Sequence, residues 1–144
     1  MDEITPSLTD VELTKAIAAF LGEIDGWAWR PDGPVYTDTE VGVDYGAIQA
    51  DTNRRVGVRV YMTTDEQHLA VRRIQLRSRG APGDPTGADE LADAAFARLQ
   101  GLSRVGGISG VSRLSMAPLG ADANRREERT DNYIITLDNQ EALS

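Results

Sequence analysis

Hydrophobic positions change period several times along the chain, and each change marks an element. Over residues 9–21, TDVELTKAIAAFL, apolar side chains recur every three or four places, with Leu13, Ala16, Ile17, Phe20 and Leu21 on one stripe. That spacing predicts an amphipathic helix. Thr9 is its expected N-cap, with Glu12 completing a capping box and Gly22 as the stop. Residues 56–62, VGVRVYM, alternate instead. Val56, Val58, Val60 and Met62 face one way, while Gly57, Arg59 and Tyr61 face the other, as in a half-buried strand. A turn is expected at Thr63–Gln67, then a second strand over 69–78, so the two form an antiparallel hairpin. The Arg72–Arg73 pair breaks the alternation and predicts a bulge or frayed start.

The rest of the chain is read the same way. A Gly/Pro loop at 80–87 leads to Thr86 as the cap of a second helix, 87–100. Its apolar face is Leu91, Ala94, Ala95 and Leu99, with Phe96 at the edge and Gly101 as the stop. Residues 102–117 hold strand material interrupted by Gly106, Gly107 and Gly110. Residues 130–138 form a clear late strand, with Tyr133, Ile135 and Leu137 on one face. Trp27 and Trp29 alternate in a short strand before the Pro-Asp-Gly-Pro turn at 31–34, and at least one is expected to be buried. Residues 38–54 read as an irregular acidic segment. The order predicts one α+β domain over 1–144, with a mostly antiparallel or mixed β-sheet flanked by two main helices.

Charge changes the picture more than composition does. The net charge is −8, unevenly spread. Residues 1–51 carry eleven acids and two bases, whereas residues 52–81 carry seven arginines against Asp65 and Glu66. Overall acidity opposes general DNA binding, which depends on neutralising phosphates. The asymmetry suits head-to-tail pairing of an acidic face with a basic one. The absence of cysteine excludes disulfides, zinc fingers and thiol chemistry. The N-terminus shows no signal-peptide pattern, and no stretch approaches a membrane span.

Candidate chemistry is sparse. His68 is the sole histidine and has no cysteine or second histidine with which to share a metal. There is no GxSxG elbow, and GGISG at 106–110 matches neither a phosphate loop nor a dinucleotide fingerprint. The reading is of a protein that is not an enzyme and takes no cofactor, metal or small-molecule substrate. Arg73, Arg77 and Arg79 fall on one face of the hairpin by alternation, which leaves a nucleic-acid-binding module as an alternative class.

Several segments, in order, resemble the tail terminator and minor capsid proteins of actinobacteriophages. They are LxxAIAxFL at 13–21, PDGPVYTDTE at 31–40, VRVYMTTD at 58–65, IQLRSRG at 74–80, ADELADAAFARLQGL at 88–102 and PLGADANRREERTDNYIITL at 118–137. The chain departs from the pattern at 49–60, where Thr52-Asn53 replaces the expected turn. The resemblance implies a subunit of a six-copy ring at the head-proximal end of a long tail tube. Its implied partners are itself, the tube protein and a head-completion or stopper protein, with genomic DNA passing through the lumen unbound. The implied location is the head–tail junction of the virion, reached by assembly in the host cytoplasm. A stopper-like or minor capsid role elsewhere in the neck is the alternative.

The candidate assembly surface combines Arg73, Arg77 and Arg79 with Asn124, Arg125, Arg126, Glu127, Glu128, Arg129 and Asp131, the last seven in or beside a charged turn at 118–129. Reversing Arg125, Arg126 and Arg129 to Glu is expected to leave the monomer folded and to block assembly.

Overall fold

The computed structural model describes residues 8–138. Its elements are α1 (Asp10–Leu21), β1 (Trp27–Ala28), β2 (Val41–Tyr45), β3 (Arg55–Glu66), β4 (Leu69–Pro82), α2 (Gly87–Leu99), β5 (Ile108–Ala121) and β6 (Arg126–Leu137). The strands form one sheet in the order β1-β2-β3-β4-β6-β5. β1, β2 and β3 pair in parallel, and the remaining three pairings are antiparallel. The fold is therefore the expected mixture of two main helices and a mostly antiparallel sheet.

Both helices lie on one face. α1 packs on β2 and β3, and α2 packs on β4 and β6. Leu13, Ile17 and Leu21 of α1 meet Leu91, Ala95 and Leu99 of α2 over a floor that includes Val43, Val56, Ile74, Leu76, Tyr133 and Ile135. The capping box forms as the sequence requires. The Thr9 amide donates to Glu12 Oε1 at 2.8 Å, and the Glu12 amide donates to Thr9 Oγ1 at 3.1 Å. Gly22 ends α1 with an ordinary helical φ of −64°. It is glycine because a Cβ there would sit 2.6 Å from the Trp29 Cβ.

Several boundaries and faces differ from the sequence reading. The hairpin strands continue through the expected 63–67 turn to Glu66 and restart at Leu69, and β4 extends through the expected loop to Pro82. Cross-strand pairing along that length overrides the polar composition of TTDE. The irregularity falls in β3, between Val60 and Met62, opposite Ile74 and Arg73. Residues 38–54 contain β2, whose alternation lasts only five residues and includes Gly42. Ala18 rather than Ala16 is buried on α1, and Ala92 rather than Ala94 on α2, which sets each helix's buried stripe slightly around its axis. Thr86 makes no side-chain cap; its hydroxyl bonds Glu90 and Asp84 instead. Trp27 and Trp29 are both half-buried against the core, so neither is fully enclosed.

The sheet face opposite the helices is covered at one end only, by the segments before and after β2. Tyr36 lies over Gly42, and its hydroxyl donates to the Val43 carbonyl at 2.6 Å. Ile48 and the Gly46 carbonyl lie over Gly57. A methyl at Gly57 would overlap that carbonyl, which β3 itself fixes through the bond from the Gly46 amide to Val58 O. Gly57→Ala is expected to cost about 1–3 kcal/mol of stability, the usual penalty of overpacking. Denaturant unfolding measures it, and an unchanged midpoint would refute this account of the crossing.

Candidate assembly site

The charged segment is mostly strand. β5 runs to Ala121 and β6 starts at Arg126, leaving a turn of Asp122–Arg125. The Asp122 carboxylate organises that turn, accepting the Asn124 and Arg126 amides at 2.9 Å each and Arg126 Nε at 2.9 Å. These bonds, the Arg126 amide first, hold the Asp122 carboxyl down at about 2. Arg125 takes the left-handed conformation that closes the turn, with φ 61°.

Beyond the turn, β6 sends charged side chains alternately to the two faces. Arg126 and Glu128 point to the open face and Arg129 and Asp131 to the helix face, and all four are buried. Arg126 Nη1 donates to the Thr52 carbonyl and Nη2 to the Ala50 carbonyl, each at 2.8 Å. Glu128 lies between Arg77 Nε at 2.9 Å and Arg79 Nε at 2.7 Å. Arg79 also donates to the Gln49 carbonyl at 2.8 Å. Two guanidinium groups thus tie segment 49–52 onto the sheet. Burial works against the charge on Glu128, but the two arginines overcome it and its carboxyl is lowered.

On the helix face, Arg129 forks onto Asp131 at 2.8 and 2.9 Å and reaches Asp89 in the first turn of α2 at 2.9 Å. Asp131 takes Arg113 of β5 as well, at 3.2 Å. Arg113 stacks on Phe96 of α2, 4.1 Å from the ring centre. The bond to Asp131 raises the pKa of Arg129 above the ordinary arginine value, so it stays charged. Tyr133 lies next along this face; burial pushes its hydroxyl up to about 12.

The ten expected surface residues therefore separate. Arg79, Arg126, Glu128, Arg129 and Asp131 are buried and engaged within the subunit. Arg77, Asn124 and Arg125 are exposed, and Arg73 and Glu127 are half-buried. Arg73, Arg77 and Arg79 share the open face, as alternation requires. The expectation that the triple reversal at Arg125, Arg126 and Arg129 spares the fold is corrected. Two of those residues are interior, and reversing them would set acid against Asp122, Asp131 and Asp89.

The sequence reading placed strand material at 102–117 but missed that it runs on to Ala121 as the exposed edge of the sheet. Every residue of β5 from Leu114 to Ala121 is exposed. Leu114, Met116 and Leu119 leave 49%, 42% and 48% of their surface in solvent. The available signal was an apolar stretch without an acid between Asp93 and Asp122.

The hollows are modest. A polar one of about 330 Å³ lies between residues 36–40 and 51–55, and an apolar notch of about 70 Å³ lies between α1 and residues 102–108. Among the described residues, no group of three or more His, Cys, Asp or Glu side chains could hold a metal, and no helix is long and apolar enough to cross a membrane.

Among the described residues, the buried charges hold the elements of one subunit together and the longest exposed stretch of strand is the outer half of β5. The chain belongs to the bacteriophage tail terminator protein family, whose model matches residues 20–139. It is a structural component of a virion and works among other tail proteins. A chain from the virion of a native gene transfer agent particle has a similar fold. The TM-score is 0.50 at 12% identity, over 84% of this chain and 83% of that one. No curated protein matches the sequence.

Two predictions follow from the charge network. Arg129→Met leaves buried Asp131 with Arg113 alone and releases the solvent-exposed Asp89, and its cost is expected near the lower end of the roughly 3–5 kcal/mol for breaking a buried pair from one side. A loss below about 1 kcal/mol in denaturant unfolding would show that the pair is not structural. The second concerns acid. Asp122 and Glu40 both have carboxyls lowered to about 2, Glu40 chiefly by its bond from Arg30. Their folded values lie below the unfolded value of about 4, so their stabilisation is complete above pH ~4 and lost as pH falls towards 2. The melting midpoint is expected to fall through that window, and Asp122→Asn to flatten the fall. An unaltered slope in the variant would remove Asp122 from the account.

Proposed function

We propose that this chain forms a hexameric ring at the head-proximal end of a long phage tail tube. The ring stops tube polymerisation and presents the surface that joins the tail to the head or its stopper protein. One observation carries the reading, the match of the tail terminator family to most of the chain. The physical features support it. The two edges of the sheet differ, as a closed ring of head-to-tail contacts requires. A net charge of −8 suits a lumen through which DNA slides, since affinity for DNA grows with each phosphate neutralised. Of the arginines available to a nucleic-acid module, Arg79 and Arg77 both bond Glu128, which leaves that alternative weaker support.

On this reading, the exposed cations Arg77 and Arg125 and the half-buried Arg73 contact neighbouring copies, the tube or the neck. The partners are further copies, the tube protein and the head-completion protein, with assembly in the host cytoplasm. The test is electron microscopy of purified particles with and without the chain, combined with mass measurement of the purified protein mixed with tube protein. A species of six subunits is expected, with density at the upper end of the tail. Without the chain, tubes should grow past their normal length. Tails of normal length lacking the protein at that end would defeat the proposal.

A further inference from the structure

The two edges of the sheet differ in length, charge and shape. One edge is β1, two residues long, with the free end of β2 beyond it. Residues 22–51 around this edge carry seven acids and one cation, Arg30. Glu23, Glu40 and Asp44 are paired with Arg98, Arg30 and Arg55, which leaves Asp25, Asp32, Asp38 and Asp51 as its outward charge. Two apolar side chains stand out there: Val35 is 87% exposed and Tyr45 44%. Asp25, Asp32 and Asp38 are exposed beside them in sequence.

The other edge is β5, fourteen residues long. From Gln100 to Ala121 the strand and its approach carry no acid. Arg113 is held by Asp131, and Arg104 is exposed. The outer half of β5 presents Leu114, Met116 and Leu119. The pairing with β6 skips Leu114 and Leu119, each falling where the register shifts. Skipped residues leave the ladder and bend the strand, and Pro118 between them has no amide to donate. An incoming partner therefore meets this edge through side chains rather than through a continued ladder of backbone bonds. In sequence, an exposed cation precedes the strand, Arg104, and another follows it in the turn, Arg125.

We propose that the Leu114–Leu119 stretch of β5 docks on the acid-rich edge of a second copy of this chain, around Val35 and Tyr45. The inference rests on the ring reading and supplies its contact. The occupant follows from complementarity. One edge is an apolar stripe free of acids, and the other carries exposed apolar side chains in an acid-rich segment. Covering the exposed apolar surface drives the contact, and the opposed charges select its register. Because the two surfaces differ and lie on opposite edges of one sheet, each copy can give one and receive the other. That is the condition for head-to-tail closure.

The chain has no cysteine, so engineered thiols are unique labels. Leu119→Cys and Val35→Cys are made separately, mixed under ring-forming conditions with tube protein, and treated with a short bis-maleimide. The mixture is expected to give cross-linked dimers, whereas either variant alone gives none. The variant carrying both thiols should give a ladder ending at the full ring. Rings that form without mixed-variant cross-links would overturn this contact while leaving the ring reading intact. Absence of any ring removes both. As a second measurement, Leu114→Glu with Leu119→Glu should melt like the parent, because both side chains are half in solvent. It should lose ring formation by at least about tenfold in the concentration required. Unimpaired ring formation by this folded variant would also overturn the proposal.

Discussion

The alternation of charge along β6 is the constraint on which the rest of the subunit depends. A strand presents successive side chains to opposite faces, and here both faces receive charges. To one side, Arg126 and the Arg77–Glu128–Arg79 cluster gather the carbonyls of Gln49, Ala50 and Thr52, fixing the connection from β2 to β3. To the other, Arg129 and Asp131 reach Asp89 and Arg113, joining α2 and β5 to the same strand. The first link also satisfies backbone carbonyls, whereas the second joins side chain to side chain. Removing Glu128 or Asp131 would leave two arginines short of their shared carboxylate, so these two acids are the hubs of the two links.

This arrangement divides the labour between the ends of the sheet. Near the β5–β6 turn the open face is sealed by segment 46–54. Farther along, it is bare sheet carrying Arg73, Gln75 and Asn132, with the last two hydrogen-bonded at 3.1 Å. The helix face is sealed over β2, the first half of β3, and most of β4 and β6, but not over Tyr61–Glu66 of β3 or the outer half of β5. The surface left for partners therefore lies on the outer parts of β3 and β5 and on the bare sheet.

How far this was legible depended on where the deciding partner lay. α1 declared itself within a few residues through Thr9, Glu12 and its apolar stripe. The β3–β4 hairpin was visible in Val56, Val58 and Val60, although its true length depended on pairing that TTDE does not advertise. β2 escaped because Gly42 and Asp44 break up a five-residue strand set in an acidic stretch. The burial of Arg126, Glu128 and Arg129 was not readable at all. Besides the near acids Asp122 and Asp131, their partners lie 40 to 76 residues away at Asp89, Arg77, Arg79, Thr52 and Ala50, and a run of charged residues looks the same whether it is solvated or internally paired. The family resemblance, which draws on order and spacing along the whole chain, was the most informative signal of function.

The interrupted edge of β5 has a consequence for finite growth. A flat fourteen-residue edge with intact amides and carbonyls would template another strand, and that strand another, giving an open fibre. The register shifts and Pro118 deny the edge that capacity while leaving its leucines available. A subunit from a family that ends polymers thus carries an edge unsuited to starting one.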